Sequence, residues 1–471
     1  MIDLNFVLPS FPHDLPSKIT SELLTLEQLN AANLALSRIH ECEDLTCLGG
    51  LAGTGKTTVL SEFIRHFDPV SYALCAFTGK AVSVLQRKLD AADVCTTRII
   101  ERFGKEKEES TVSTIHSLIY LRRETVTCKR SGRAHTITYG RGMPAIGEEF
   151  PSGGFCQPCL DAGEQAYCVT ETDVEWIRRQ KLWEGLQVII IDEASMVSRE
   201  MFDHLSRYGV PILAVGDHGQ LPPVSSRRDS FNLMAEAGLH AKLETIHRQA
   251  AGSPITMLAH KIRNEGSMSV TVGNYSTASS RVLKVSQHRM PKLDWKSAMD
   301  PENRMVVLCG RNATRVRINR QTREQLGYSE LPQKGDRVVC LRNCRQAFNG
   351  QQGTIVEVRS ISSTSTDTGS QVLTFNVALD DMPEEILTGL RAPISQFNRP
   401  TTLTQDELRQ MRVGGVTIWD YAYCMTVHKF QGSEVPRVVV MEERLPGSQK
   451  DHDRWLYTAV TRSSRDLLII S

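Results

Sequence analysis

Three glycines and a lysine at fixed offsets carry the plainest chemistry in the chain: Gly50-Leu51-Ala52-Gly53-Thr54-Gly55-Lys56-Thr57-Thr58. Glycines let backbone N–H groups face an anion with no Cβ in the way. A helix beginning at Lys56 adds its unpaired amides and the positive end of its dipole. In this setting Lys56 reaches the β- and γ-phosphates of a nucleoside triphosphate, and the Thr57 hydroxyl holds Mg²⁺. The binding set read here is Gly50, Gly53, Thr54, Gly55, Lys56, Thr57 and Thr58.

Two further stretches carry groups that such a site needs. The apolar run Val188-Ile189-Ile190-Ile191 ends in Asp192-Glu193-Ala194-Ser195. Asp192 at a strand tip suits Mg²⁺, and Glu193 orients or deprotonates an attacking water. Farther on comes Gly216-Asp217-His218-Gly219-Gln220-Leu221-Pro222-Pro223, where Gln220 is placed to touch the γ-phosphate or that water. An arginine is still needed to neutralise charge as the γ-phosphoryl leaves. Arg248 and Arg462 are the candidates, and both lie outside the first sheet's segments, so a neighbouring domain must supply them. Gln28, in Thr25-Leu26-Glu27-Gln28, reads either as part of a helix start or as an amide on an adenine edge.

The elements that position these groups can be read in order. Residues 45–48 form a strand feeding the glycine loop, and Val59, Leu60, Phe63, Ile64 and Phe67 mark the amphipathic helix leaving it. Strands are expected at 72–77, 188–191 and 211–215, which makes an α/β domain with a parallel sheet. The second half repeats the pattern with apolar runs at 305–308, 438–441 and 467–470. Between them, alternating stretches around Asn349-Gly350 read as a small β-barrel. Thr78/Lys80, Thr114/His116 and Thr426/His428 follow strands. Each pair reads either as a capped helix start or as a set of groups that hold a phosphate backbone without reading bases. The arginines between Arg311 and Arg320 read as a solvated helix face or as the flank of a single-strand groove.

Residues 119–185 break the pattern. They carry Cys128, Cys156-Gln157-Pro158-Cys159 and Cys168. A C-x₂-C knuckle with two further cysteines satisfies tetrahedral Zn²⁺, with His135 as an alternative ligand; four free thiols is the other reading.

In this order the motifs resemble superfamily 1 helicases, specifically the RecD-like and phage Dda-like 5′→3′ branch (superfamily 1B). The likeness covers residues 24–118, 186–250 and 305–470. It rests on Gly50–Thr58, Asp192-Glu193-Ala194-Ser195, Gly216-Asp217…Gln220, Thr426-Val427-His428-Lys429-Phe430-Gln431-Gly432-Ser433-Glu434 and Tyr457…Arg462. The resemblance implies two RecA-like motor domains in tandem, with a cysteine-containing insert in the first and a Src-homology-3-like barrel in the second. The corresponding boundaries are 1–118 with 186–248, 119–185, 249–331 with 401–471, and 332–400. It also implies adenine contact at Gln28, catalytic Glu193, γ-phosphate sensing at Gln220 and arginine fingers at Arg248 and Arg462. Gln431, Gly432 and Glu434 would couple nucleotide to DNA. A hairpin that splits the duplex is expected within 119–185, with Tyr139, Phe150 or Phe155 as its wedge. The implied activity is ATP-dependent unwinding of forked DNA by 5′→3′ movement on a single strand. Its competitors are a DNA-stimulated loading or binding factor of replication or recombination, and the same motor on RNA.

The bulk properties fit this reading without demanding it. At 471 residues the chain needs several cores, and a net charge of +1 means that any nucleic-acid surface is local. No signal-peptide pattern and no run of membrane-spanning length is present, so a cytoplasmic setting, bacterial or phage-infected, and no membrane partner are expected.

Overall fold

The computed structural model describes residues 15–102, 105–128, 134–139, 170–222, 231–245, 252–277, 280–289, 291–344, 346–363, 370–380, 385–411 and 416–471. Its first six-stranded sheet runs in the order Ala241–Leu243, Leu45–Gly50, Ile212–Gly216, Val188–Asp192, Tyr72–Ala76, Val112–Thr114. Every pairing in it is parallel. Alternate residues feed two cores. Leu48, Leu74, Ile190 and Leu213 pack with Leu36, Phe63 and Leu89 of the helices on one side. Cys47, Cys75, Ile191 and Ala214 pack with Leu118, Leu205 and Met234 on the other. Burial on both faces is why these strands read as unbroken apolar runs.

The second six-stranded sheet runs Gly273–Asn274, Val282–Val285, Ser463–Ile470, Val435–Met441, Met305–Cys309, Cys424–Thr426. It is parallel except for its first pairing. Sequence reading finds three of these strands and misses Val282–Val285, whose apolar run is interrupted by Lys284. That ammonium is buried and pairs with Glu442 at 2.7 Å. The chain is thus α/β with two parallel-sheet cores.

Five antiparallel strands, in the order Ile386–Pro393, Gln371–Leu379, Gln352–Ser363, Arg337–Cys340, Trp419–Tyr421, make a separate sheet around Phe375, Val377, Leu390 and Trp419. Its strand Trp419–Tyr421 lies beyond the 332–400 bounds expected for the insert. Val338 pairs with Tyr421 and Val339 with Asp420, which gives Arg337–Cys340 a second hydrogen-bonded neighbour. Buried ion pairs fix this sheet to helix Asn312–Leu326: Arg323 grips Asp336 at 2.8 and 3.0 Å, and Arg315 grips Asp420 at 2.5 Å. The arginine run of that helix is accordingly mixed, with Arg315 buried in structure while Arg317 and Arg320 are exposed.

The described residues of 119–185 include three antiparallel strands, Ala134–Tyr139, Tyr120–Cys128 and Thr170–Arg178, with Tyr120–Cys128 in the middle. Sequence reading also misses strands Thr97–Arg102 and Lys105–Ser110, which form a hairpin that, among the described residues, pairs with no other sheet. Arg98 anchors it, lying over the Trp183 ring at 3.9 Å and pairing with Glu109. Among the described residues, no helix is long and apolar enough to cross a membrane.

Candidate active site

The glycine loop leaves strand Leu45–Gly50 and enters helix Lys56–Ile64 at the carboxyl edge of the first sheet. Gly53 and Gly55 have φ of 83° and 75°, which a Cβ would strain. At Gly50 a Cβ would stand 2.5 Å from Thr54 Oγ1, so close packing also demands glycine there. Lys56 Nζ donates to Gly50 O at 2.8 Å and Leu51 O at 3.0 Å. The ammonium thus lies inside the loop on carbonyls that a phosphate would replace. Thr57 is half-buried in the first helical turn and Thr58 is exposed.

Gln28 is buried and its amide is engaged at both ends. Its Oε1 accepts from Thr25 N at 3.0 Å, and its Nε2 donates to Thr54 O at 3.1 Å. Thr25 caps in return, so the reciprocal capping box is present. In this conformation Gln28 braces the phosphate loop from the helix start instead of presenting a free edge.

Asp192 and Glu193 sit where expected, at the end of strand Val188–Asp192. Asp192 Oδ1 accepts from Glu193 N at 2.9 Å. Burial, with Glu193 beside it, pushes the Asp192 carboxyl up to about 6, against the pull of Lys56. Glu193 has φ 52° and ψ 42°, a left-handed conformation uncommon for a residue with a Cβ. Glu193 Oε2, Ser195 Oγ, His218 Nδ1 and Gln220 Oε1 are buried atoms with no hydrogen-bond partner among the described residues. Each such orphan costs about 1–3 kcal/mol. They gather on the loops that follow two neighbouring strands. The chemistry of Thr57, Asp192 and the unpartnered Glu193 and Gln220 oxygens fits a hydrated Mg²⁺ and an attacking water.

The second sheet's segments close on these loops. The Tyr457 hydroxyl donates to Asp217 Oδ2 at 2.5 Å and accepts from Ala52 N, in the phosphate loop, at 3.1 Å. One phenol therefore bridges the glycine loop and the Gln220 loop. Burial and the adjacent Asp217 carboxylate raise its pKa, which keeps the donor proton in place. Leu221 N donates to Thr458 Oγ1, and Gln431 Nε2 donates to Leu221 O, both at 3.0 Å. Arg462 is buried; it donates to Thr458 O at 3.0 Å, Thr461 Oγ1 at 3.1 Å and Ser433 O at 3.5 Å. No carboxylate pairs with it among the described residues. Arg248 lies outside the described residues. Glu434 is exposed.

Sequence reading missed two groups here. In the sequence Tyr457 marks only the start of a stretch whose evident chemistry is Arg462. Arg263, on helix Pro254–Glu265, stands so close to the Gln220 loop that a Cβ on Gly219 would meet its guanidinium at 1.8 Å. With Lys242, Lys450, Arg454 and His218 it lines a cleft of about 680 Å³ beside Tyr457. Burial and Arg263 lower His218 to about 4, so this imidazole is neutral at pH 7. A solvated helix face explains Arg263 equally well from sequence alone, so no sequence signal distinguishes it.

Two of the six residues expected to hold a nucleic-acid backbone are helix caps as well. Thr78 Oγ1 accepts from Ala81 N at 3.1 Å, and Thr114 Oγ1 accepts from Ser117 N at 3.1 Å. Thr426 is buried and makes no such capping bond. Lys80 is buried with its ammonium 5.6 Å from the Phe430 ring centroid, so it joins the two halves and is not a surface cation. Gly432, at φ 71°, brings its backbone to that junction: a Cβ there would lie 3.4 Å from Ala81 Cβ. His116 and His428 are half-buried, and burial lowers both imidazoles.

Of the expected zinc ligands, Cys156, Cys159 and Cys168 lie outside the described residues, as do Phe150 and Phe155. Cys128 ends strand Tyr120–Cys128. Among the described residues no group of three or more His, Cys, Asp or Glu is arranged to hold a metal ion.

A family model described as an AAA domain matches residues 24–283, and one described as a UvrD-like helicase C-terminal domain matches residues 421–470. The chain is similar to the conjugal transfer protein TraA of Rhizobium radiobacter, with 25% identity over 326 residues, covering 65% of this chain and 26% of that protein. It is also similar to the RecBCD enzyme subunit RecD of Mycobacterium tuberculosis, with 25% identity over 484 residues, covering 94% of this chain and 68% of that one. The chain thus spans about a quarter of TraA. A solved structure of Pif1 helicase from Bacteroides with ADP-AlF3 and single-stranded DNA aligns at a TM-score of 0.48 and 16% identity, covering 95% of this chain and 92% of that one.

Proposed function

The chain belongs to the AAA-domain family, in the superfamily 1B, RecD-like branch that its two matched domains and its motif order describe, and on that premise we propose that it is an ATP-driven DNA helicase moving 5′→3′ along a single strand. The observation that carries the reading is the Tyr457 bridge. A group from the second sheet touches both the loop that cradles the triphosphate and the loop that carries Gln220, so a change at either is felt across the junction. The junction between the two halves also holds Lys80, expected on the track, and Gly432, expected to couple nucleotide to DNA.

In this mechanism the amides of residues 50–58 and Lys56 hold the β- and γ-phosphates. Thr57 and Asp192 would hold Mg²⁺, which supplies charge neutralisation on the phosphate oxygens. Glu193 takes the proton of the attacking water, and Gln220 orients it with its unpartnered Oε1. Arg462, held by carbonyl and hydroxyl oxygens and no counter-ion, carries its charge to the γ-phosphoryl as the lobes close. Arg248 is assigned the same duty from the motif order. Loss of the γ-phosphoryl relaxes Gln220, and Gln431, bonded to the neighbouring Leu221 carbonyl, passes this to the Thr426–Gly432 segment beside the strand.

The isolated hairpin of Thr97–Arg102 and Lys105–Ser110 is the strand-separating element in this reading. Among the described residues it pairs with no other strand, and it leaves Ile99 67% exposed. This reading adds the hairpin to the candidates expected within residues 119–185. Zinc on Cys128, Cys156, Cys159 and Cys168 rests on spacing alone, and no step depends on it. Metal content after purification without chelator, in wild type and in Cys156→Ser/Cys159→Ser, tests it.

The test of function is ATP hydrolysis with and without single-stranded DNA, followed by displacement of forked duplexes with opposite tails. Stimulation by DNA and unwinding only from a 5′ tail are expected. Hydrolysis indifferent to the polymer overturns the reading. Stimulation without displacement reduces it to a DNA-gated loading factor, and stronger stimulation by RNA oligomers changes the track.

A further inference from the structure

We propose that the indole of Trp176, buttressed by His116 and Tyr120, is a platform on which a base of the single strand stacks; this rests on the helicase reading above and names a contact it does not contain. Trp176 lies on strand Thr170–Arg178 and is 47% exposed. Its ring centroid is 4.6 Å from that of His116, at 84°, and His116 lies 4.5 Å from Tyr120 at 41°. The Tyr120 hydroxyl is hydrogen bonded to His204, which holds the base of the stack. An edge-on contact leaves at least one face of the indole uncovered by the imidazole.

The placement is what gives this aromatic a use. His116 follows strand Val112–Thr114, and Thr114 pairs with Ala76, two residues before Thr78. Thr78 and His116 therefore leave adjacent strands at the same carboxyl edge, the usual ligand edge of an open α/β sheet. Gly432 reaches Thr78 and Ala81 from the other half of the molecule. This strip offers hydroxyls and backbone amides, which suit sugar and phosphate, and its imidazoles are small, half-buried rings that give a base little to stack on. Trp176, in ring contact with His116, adds a broad exposed π-face to this strip. Arg178, two residues along the same strand and therefore on the same face, is exposed and adds a cation for the backbone. Burial lowers His116, so the stack holds a neutral ring and the attraction it offers is not chiefly electrostatic.

The protein contains its own reporter. Of its five tryptophans, Trp295, Trp419 and Trp455 are buried, and Trp183 is half-buried with its indole N–H bonded to Val70 O at 2.7 Å. Titration of full-length protein with an oligo-dT should therefore quench emission in wild type and not in Trp176→Phe, which keeps a stacking ring and binds nearly as well. Trp176→Ala should weaken oligo-dT binding by about 5- to 150-fold. The slope of log Kd against log salt should not change, because no phosphate contact is lost; Arg178→Ala should make that slope shallower. Wild-type affinity in Trp176→Ala, or emission indifferent to saturating oligo-dT in a wild type that binds it, overturns the platform alone. A wild type that neither binds oligo-dT nor is stimulated by it overturns the helicase reading and the platform together.

Discussion

The phenol of Tyr457 and the carboxylate of Asp217, 240 positions apart in sequence, meet at 2.5 Å in the buried seam between the two parallel-sheet halves. Asp217 is fully buried, and its other oxygen accepts from Gly219 N at 2.8 Å. Removing the phenolic hydroxyl therefore strands part of a buried carboxylate and frees Ala52 N. Tyr457→Phe should lower stability by about 1.5–3 kcal/mol, the range for a hydrogen bond to a charged group. It should also depress DNA-stimulated hydrolysis more than basal hydrolysis. Thermal melts and paired ATPase assays check both, and equal loss in the two assays would count against a coupling role.

Lys56→Ala should reduce hydrolysis by about 100-fold or more, as expected for a charge aimed at the transferring phosphoryl group. Lys56 is only half-buried, and its partners are the carbonyls of Gly50 and Leu51, so the fold should persist. Circular dichroism alongside turnover separates these effects. An active variant would refute the assignment of the loop.

The Asp192 carboxyl, raised from 3.8 to about 6, gives a pH dependence with a definite sign. Between those values the folded chain binds more protons than the unfolded one, so this group's contribution to stability declines as pH rises through the window and is flat above it. Cation binding needs the ionised carboxylate. Apparent Mg²⁺ affinity should therefore rise with pH up to about 6 and then level off, and Asp192→Asn should lose this dependence. Calorimetric Mg²⁺ titrations in the presence of ADP give the profile.

Replacing the hairpin at 97–110 with a short Gly-Ser turn should abolish displacement of forked duplexes while leaving single-strand-stimulated hydrolysis in place. Parallel unwinding and ATPase assays on one preparation decide it. Loss of both activities would make the hairpin structural.

Asp336 is fully buried and receives bonds from Arg323, the Tyr423 hydroxyl at 2.9 Å and Gln333 N at 2.8 Å. Asp336→Ala leaves the Arg323 guanidinium buried without its carboxylate and should cost about 3–5 kcal/mol. Chemical denaturation of the variant measures this, and a loss below about 1 kcal/mol would show that Glu330 and Leu331 carbonyls suffice for Arg323.

The amino-acid sequence alone determined the local pieces whose physics is local. The glycine loop, the apolar strands at 188–191 and 305–308, and the carboxylates at a strand tip were all legible, because a phosphate cradle and a doubly buried strand each impose residue types at short fixed offsets. Gln28 was half legible: its capping box is a four-residue pattern, whereas its bond to Thr54 joins segments 26 positions apart. Only the tertiary structure decided which distant groups meet. Tyr457 on Asp217, Arg263 against Gly219, Lys80 over Phe430 and Trp176 beside His116 depend on how sheets and helices pack, and no spacing in the chain encodes such contacts. The strand Trp419–Tyr421 was lost to sequence reading for the same reason, since three residues carry too little periodicity to name the sheet they will join.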